Sequence, residues 1–374
     1  MNFDIEDEEE QEEEEVRDEY ADKQKIHLLL IFFFAIGTLI VVITLLVLSS
    51  GKKTTTNTQT TTPPQTITPT TNTTNETKAK LTVVNEDSNE RPIAVMIDNT
   101  IGQAPHAGLQ DSYLNYEIPI DGGVTRIMAV FKDTNATLVG PIRSSIYYFI
   151  DYALENDAIY VHYGLEDYEK KNPQQVNISR INGVENPDPF RRDSKAIAPH
   201  NVFSKLPYIK SFIEKTSITN TSDKWQNLNY STTPIDLTEN TSYNAKQAAK
   251  VTIPYSETEI RAYSYDTVNN YYLRYTNGQL HKDRKTSQQF HYKNVIIQRM
   301  EIAPKAGDTV IEAKTVGSGT GYYITNGKFL PIKWTKSSRE GKTSFTYEDG
   351  TEVLFNDGNT FIQIVPTNAN ITIE

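Results

Sequence analysis

Apolar positions along the chain fall into three regimes, and each predicts a different kind of structure. In the first they are unbroken: Ile26 to Leu48 is 23 residues without Asp, Glu, Lys or Arg. About 20 apolar residues, at 1.5 Å rise each, cross a hydrocarbon core, so this stretch predicts one membrane-spanning helix. A cleaved signal peptide has a shorter apolar region and a small-residue cleavage site, to which Leu46-Val47-Leu48-Ser49-Ser50 is a poor match. In the second regime apolar residues nearly vanish. Residues 54–77 hold fourteen threonines with Pro63, Pro64 and Pro69, which predicts an extended, solvated stalk over 49–87.

The third regime begins near Arg91 and alternates strand and helix signals. Ile93-Ala94-Val95-Met96-Ile97 predicts a buried strand with Asp98-Asn99 at its mouth. Tyr113–Ile120 and Thr125–Phe131 predict two strands joined by Asp121-Gly122-Gly123 as a hairpin turn. Ile146, Phe149, Ile150, Ala153 and Leu154 recur at helical spacing after Gly140-Pro141, and Ala158–Tyr163 predicts a further strand. Ser204 is the expected N-cap of a helix reaching Glu214. Together these predict an α/β domain over 88–220.

Residues 221–245, rich in Asn, Thr and Ser, are the expected linker to a second domain over 246–374. There Asn277-Gly278, Asn326-Gly327, Asp349-Gly350 and Asp357-Gly358 separate strand-like runs, the strongest local signal for hairpins. The runs include Tyr271–Tyr275, Asn294–Gln298, Tyr322–Thr325, Lys328–Trp334, Thr343–Tyr347 and Thr360–Val365. This domain is expected to be mainly antiparallel β, so the fold class of the whole is α+β. Gly317-x-Gly319-x-Gly321 enters a strand with no helix after it, which predicts a bend or bulge rather than a dinucleotide site.

Charge changes the picture mainly through its placement. The formal net charge is −11. Residues 1–25 hold thirteen acids against Arg17, Lys23 and Lys25, a net −10, which leaves −1 for the rest of the chain. Such an acidic run repels itself and has little to bury, so it predicts a disordered tail. Lys52 and Lys53 follow the apolar stretch, and the three basic residues before it favour a cytoplasmic tail with the C-terminal domains outside. A nearly neutral ectodomain gives no reason to expect nucleic acid. There are no cysteines, which excludes disulfides, Cys-ligated metals, cysteine nucleophiles and a lipidated cysteine within this sequence.

Several segments taken in order resemble the YerB-like lipoprotein family of Gram-positive bacteria, a two-domain family without an established function. They are Arg91-Pro-Ile-Ala-Val-Met-Ile-Asp98-Asn99, Gly122-Gly-Val-Thr-Arg126, Gly140-Pro-Ile-Arg143-Ser144, Ala158-Ile-Tyr-Val-His162, Phe190-Arg191 and Ala198-Pro-His200-Asn201. In the second domain Asn294-Val-Ile-Ile-Gln298, Gly317-Ser-Gly-Thr-Gly-Tyr-Tyr323 and Phe361-Ile-Gln-Ile-Val365 continue the match. Three features depart from the family. A membrane helix stands in place of a lipidated cysteine. Ile146 stands where another arginine is usual, and Gly164-Leu165-Glu166-Asp167 where a Gly-Gly-Ser-Pro-like loop is usual.

Polar residues gather at predicted element ends: Asp98, Asn99, Glu117, Arg126, Arg143, Ser144, His162, Arg191, Arg192, His200 and Asn201. All but Glu117 and Arg192 are candidate ligand-binding residues. Arg126 and Arg143 offer a bidentate clamp for carboxylate or phosphate, and a helix starting near Ser144 would add backbone N–H groups. The same residues also suit a structural network, with Ser144 as an N-cap and Arg143 paired to Asp98 or Glu117. Ser144, either histidine and Asp98 supply the residue types of a catalytic triad, though not the nucleophile-elbow spacing. No metal or cofactor is expected, since no paired-histidine spacing is present.

The leading expectation is a non-enzymatic envelope protein, anchored in the bilayer by residues 26–48, that binds wall polymer or a wall-synthesis membrane protein. The alternatives are an extracytoplasmic hydrolase or transferase acting on an anionic substrate, and a sensor that uses its acidic tail as a docking segment.

Overall fold

A computed structural model of the protein describes residues 79–374 apart from 101, 103–104, 167–176, 240–242 and 305–309. The acidic tail 1–25, the expected membrane helix 26–48 and the stalk up to residue 78 lie outside the described residues. Among those described, no helix is long and apolar enough to cross a membrane.

The first half forms as its alternation predicts. Strands β1 (Ile93–Asp98) and β2 (Leu114–Pro119) both run antiparallel to β3 (Thr125–Phe131). The β2–β3 connection is a single 3-10 turn in which Gly122 and Gly123 both take positive φ, the conformation for which glycine is suited. Helix α1 (Tyr147–Glu155) leads into β4 (Ile159–His162), parallel to β1, and β5 (Arg180–Asn182) extends the parallel run. Strands β6 (Phe190–Arg192) and β7 (Val202–Ser204) pair by themselves ahead of helix α2 (Leu206–Ile213).

Both helix starts differ from expectation. Ile146 is the N-cap residue of α1 and has no side-chain cap; the Tyr147 N–H donates to Glu166 Oε1 at 2.9 Å. For α2 the N-cap residue is Lys205, with a proline in the first turn, where its missing N–H leaves no helical bond unmade. Ser204 closes β7 and donates its hydroxyl to the Pro189 carbonyl. Strand geometry runs one or two residues further than the serines suggest.

The second half is built of β8 (Tyr230–Ser231), β9 (Lys246–Gln247), β10 (Lys250–Pro254), β11 (Ile260–Asp266), β12 (Tyr271–Thr276), β13 (Gln279–Leu280), β14 (His291–Tyr292) and β15 (Asn294–Met300). After these come β16 (Ile302–Pro304), β17 (Ile311–Ala313), β18 (Gly317–Thr325), β19 (Lys328–Lys336), β20 (Ser344–Thr346), β21 (Phe355–Asn356), β22 (Thr360–Pro366) and β23 (Thr372–Ile373). An eleven-stranded sheet runs β20-β19-β18-β15-β22-β2-β3-β1-β4-β5, with β9 on β19. A six-stranded sheet runs β13-β12-β11-β10-β23, with β14 on β12.

The large sheet is mixed and crosses both halves, because β22 lies parallel to β15 on one side and to β2 on the other. Thr360 to Val365 are all buried, as a central strand covered on both faces requires. Lys78–Glu374 form one compact unit. The segment 221–245, linker-like in composition, buries Leu228, Tyr230 and Leu237, and β8 pairs with β21.

Asn277-Gly278 and Asn326-Gly327 close the expected hairpins, all four residues at positive φ. Asp357-Gly358 does not. Its flanking strands pair elsewhere, and the Asp357 carboxylate accepts from the Thr82 N–H and hydroxyl and from the Val83 N–H. Leu81 and Val84 are buried, so the end of the expected stalk is docked against the fold.

Gly319 and Gly321 lie within β18 for reasons of space. A Cβ on Gly321 would stand 2.0 Å from the Ile297 carbonyl oxygen, and one on Gly319 would stand 2.6 Å from Trp334 Nε1. Gly321→Ala is therefore expected to push β15 and β18 apart and cost about 1–3 kcal/mol. The urea midpoint should fall with m unchanged; an unmoved midpoint would show that the strands adjust freely.

Strand alternation gives the large sheet two core faces. On one, Met96, Tyr116, Met128 and Ile362 pack with Phe149, Tyr152 and Ala153 of α1. On the other, Ile97, Ile127 and Phe361 meet Val251, Tyr263 and Tyr272 of the second sheet and Leu206 and Ile209 of α2.

Candidate functional site

Alternation also divides the polar residues at the mouth of β1. Asp98 follows Ile97 and so shares the α1 face with Arg126, its partner across the β1–β3 ladder. Thr100 donates its N–H and hydroxyl to Asp98 Oδ1 at 3.1 and 2.8 Å. His200 Nδ1 bonds Asp98 Oδ2, and Arg143 Nε stands 3.4 Å from the same oxygen. Burial alone would raise the Asp98 carboxyl. Arg126, the His200 and Thr100 hydrogen bonds and Arg143 outweigh it, and hold the carboxyl below its ordinary value.

Arg126 is almost fully buried, yet among the described residues its one hydrogen bond is from Nη1 to the Ser144 carbonyl at 3.3 Å, and its Nε has no partner there. Arg143 Nε makes an ion pair but no hydrogen bond. Burial lowers the proton affinity of Arg126, Asp98 works against this, and Arg143 adds to it. Two guanidiniums thus share one carboxylate, and the cluster keeps an excess of positive charge.

His162 ends β4 on the same face. Its Nδ1 bonds the Gly164 carbonyl at 2.8 Å, while Nε2 is buried without a partner among the described residues. A carbonyl only accepts, so Nδ1 carries the proton and Nε2 presents a bare lone pair. Burial, reinforced by the Arg180 charge and opposed by the Gly164 bond, pushes the ring down to about 4.

Asn99 turns to the opposite face and donates to Glu117 Oε1 at 2.8 Å and to Thr125 Oγ1 at 2.6 Å. Glu117 is wholly buried, and its partner is not Arg143. Arg261 Nε meets Oε1 at 2.7 Å and Arg274 Nη2 meets Oε2 at 2.6 Å, both arginines also wholly buried. Thr125 and Gln363 complete its shell at 2.7 and 2.9 Å, and Glu259 takes Arg261 Nη2 at 2.6 Å. Burial opposes ionisation of Glu117, but Arg261, Arg274 and these hydrogen bonds hold it at about 2.

A directed chain joins the two clusters. Arg274 Nη1 reaches His281 Nδ1 at 2.5 Å, His281 Nε2 reaches His106 Nδ1 at 2.6 Å, and His106 Nε2 bonds the Asp98 carbonyl. Arginine can only donate and a carbonyl can only accept, so both imidazoles are neutral with the proton on Nε2. Burial first, then the Arg274 and Arg261 charges, push His106 down to about 4 against its Asp98 bond, and push His281 down in the same direction.

The structure therefore brings Asp98, Arg126, Arg143, Ser144, His162 and His200 to one region and sends Asn99 to another. Arg191 bonds the Asp188 and Phe190 carbonyls, and Asn201 bonds Arg192 and the Asp193 carbonyl, so their hydrogen bonds go elsewhere than Asp98. The first N–H of α1 is not left for an anion beside Ser144, because Glu166 takes that of Tyr147. Among the described residues no three His, Cys, Asp or Glu side chains are placed to hold a metal ion. Sequence reading missed Arg261, Arg274, His106 and His281. For the arginines a signal existed: strict alternation puts Arg261 in step with Tyr263, and Arg274 in step with Tyr272, on the buried face.

Fold and site together define a protein of two main sheets, fastened by buried charge, with a cationic cluster at the strand ends of the larger one. The chain belongs to the family described as protein of unknown function (DUF3048): the family's N-terminal domain matches residues 79–219 and its C-terminal domain residues 251–362. A Bacillus subtilis (strain 168) protein provisionally named lipoprotein YerB is 26% identical over 313 residues, 79% of this chain and 88% of that one. The crystal structure of the YerB protein from Bacillus subtilis superposes with a TM-score of 0.69 at 24% identity, covering 79% of this chain and all of that one. This shows a shared fold.

Proposed function

We propose that the chain is a membrane-tethered, extracytoplasmic protein of the cell envelope whose folded part binds an anionic group of a wall polymer or partner protein at Arg126 and Arg143. The observation that carries this reading is the buried Arg126 guanidinium, with one hydrogen bond and an unpartnered Nε beside a second arginine. Burying a charge without full pairing is costly, and an incoming oxyanion would satisfy both forks. The tether is supported by the apolar run 26–48, the threonine-rich stretch after it, and the lipoprotein name of the Bacillus relative. With no cysteine in the sequence, the apolar run 26–48 is the proposed anchor in place of a lipid.

The test is binding of soluble anionic wall fragments to the full-length protein in nanodiscs. Arg126→Gln and Arg143→Gln are each expected to weaken binding roughly 10- to 100-fold, from ~1.5–3 kcal/mol per charge-assisted bond. Lysine should rescue poorly, having no planar fork. Melting should change little, because Asp98 keeps Thr100, His200 and one arginine. A large drop in melting temperature with binding intact would falsify the anion site.

One contact favours the hydrolase alternative. Asp98 holds His200 by Nδ1, which leaves Nε2 oriented to take a proton. Ser144, the candidate nucleophile, makes no hydrogen bond to either histidine; among the described residues its bond is the carbonyl contact to Arg126. Fragments recovered intact after incubation support binding alone; cleaved fragments support catalysis.

A further inference from the structure

His162 has no task in the anion clamp, yet it stands beside it. Arg126 Nη1 donates to the Ser144 carbonyl at 3.3 Å. Ser144 Cβ in turn lies 3.9 Å from where a Cβ on Gly164 would be, and the Gly164 carbonyl fixes His162 Nδ1. Gly164 is itself pinned by Asn182, which accepts its N–H at 3.0 Å. Ser144 and Gly164 thus connect the two residues, and strand register puts the guanidinium with spare donors and the imidazole with a spare lone pair on the same face of the sheet. A wholly buried acceptor without a donor costs about 1–3 kcal/mol and calls for an explanation. Conversion to a donor is no escape, since burial keeps the ring neutral.

We infer that the ligand of this site is an oxyanion that also carries a hydroxyl, the anion seated on Arg126 and Arg143 and the hydroxyl donating to His162 Nε2. This rests on the anion-binding reading above and specifies its ligand. A hydroxyl fits better than an ammonium group. Arg126 and Arg143 flank the site and the Arg180 charge acts on His162, so a second cation would be repelled. Polyol or sugar phosphates and hydroxy acids share this chemistry.

The probes are matched pairs titrated calorimetrically into the full-length protein in nanodiscs: glycerol 3-phosphate against methyl phosphate, and glycerate against propionate. The hydroxylated member of one pair is expected to bind about three- to tenfold more tightly, the value of one neutral hydrogen bond. The pair that shows the preference tells phosphate from carboxylate. His162→Phe should abolish the preference while leaving the affinity for the plain anion, and Arg126→Gln should weaken both members. Should His162→Phe fail to fold, the wild-type His162 Nε2 nitrogen resonance supplies the same answer, shifting with the hydroxylated ligand and not with its partner. Equal affinities within both pairs, a preference that survives His162→Phe, or an unmoved resonance overturns the hydroxyl assignment and leaves the anion site standing. Failure of all four compounds to bind overturns both.

Discussion

Glu117→Gln is expected to cost about 3–5 kcal/mol, a large part of the roughly 5–15 kcal/mol that holds an ordinary domain folded. The side chain is isosteric, so the loss is one of charge and not of volume. Glu117 accepts from Arg261 and Arg274, both wholly buried, and an amide would face two guanidiniums with no counter-charge between them beyond Glu259. Because Glu117 lies on β2 of the large sheet and the arginines on β11 and β12 of the other, the damage should fall on the contact between sheets. Urea denaturation measures it. A companion variant, Glu117→Met with Arg261→Met, Arg274→Met and Glu259→Gln, removes the charges together. It is expected to recover most of the stability, as buried ion networks replaced whole by apolar residues often do. A loss below about 1 kcal/mol for Glu117→Gln would mean that water reaches the arginines and screens them.

This network also shows where sequence reading reaches its limit. The strands β1 to β4 were legible because each buries a run whose period is that of a strand, and the two Asn-Gly hairpins because their turns need positive φ. The place of β22 was not. Phe361-Ile362-Gln363-Ile364-Val365 reads as a buried strand anywhere in a sheet, and nothing local says that its neighbours are β15 and β2, the latter from the far half of the chain. Register explains the rest. Asp98 and Asn99 are adjacent in sequence and were read as one mouth, but successive strand residues face opposite ways, so one joined Arg126 and the other Glu117. The candidate site was legible as residue types at strand ends, with Asp98, Arg126, Arg143 and His200 brought together. The partner of Glu117 was not legible, because Arg261 and Arg274 are more than a hundred residues away and look like surface charges until their strand parity is counted.

Stability is expected to fall with acidity in two windows, and the upper one belongs to the histidine chain together with His162, which is held at about 4 like His106. His106 is held at about 4 in the folded protein against 6.5 for the free side chain. Between these values the unfolded chain binds more protons, so stability rises with pH there. The contribution is full above pH 6.5, declines as pH drops through the window, and is gone below about 4. A shift from 6.5 to about 4 corresponds to about 3 kcal/mol, and His281, shifted the same way, steepens the decline. The hydrogen-bond chain gives the structural reason: a proton on His106 Nδ1 would point at the proton of His281 Nε2, with the Arg274 cation next in line. Glu117, at about 2 against an ordinary 4.5, governs the lower window; its contribution is full above 4.5 and is lost as pH falls towards 2. Unfolding free energies from urea titrations between pH 3 and 8 should therefore descend in both windows. His106→Gln keeps an acceptor for His281 and a donor for the Asp98 carbonyl but does not titrate. It is expected to flatten the upper descent by up to about 1.4 kcal/mol per pH unit, the slope of one proton, and to leave the lower one in place. An upper descent unchanged in that variant would assign the acid sensitivity to groups outside the chain from Arg274 to Asp98.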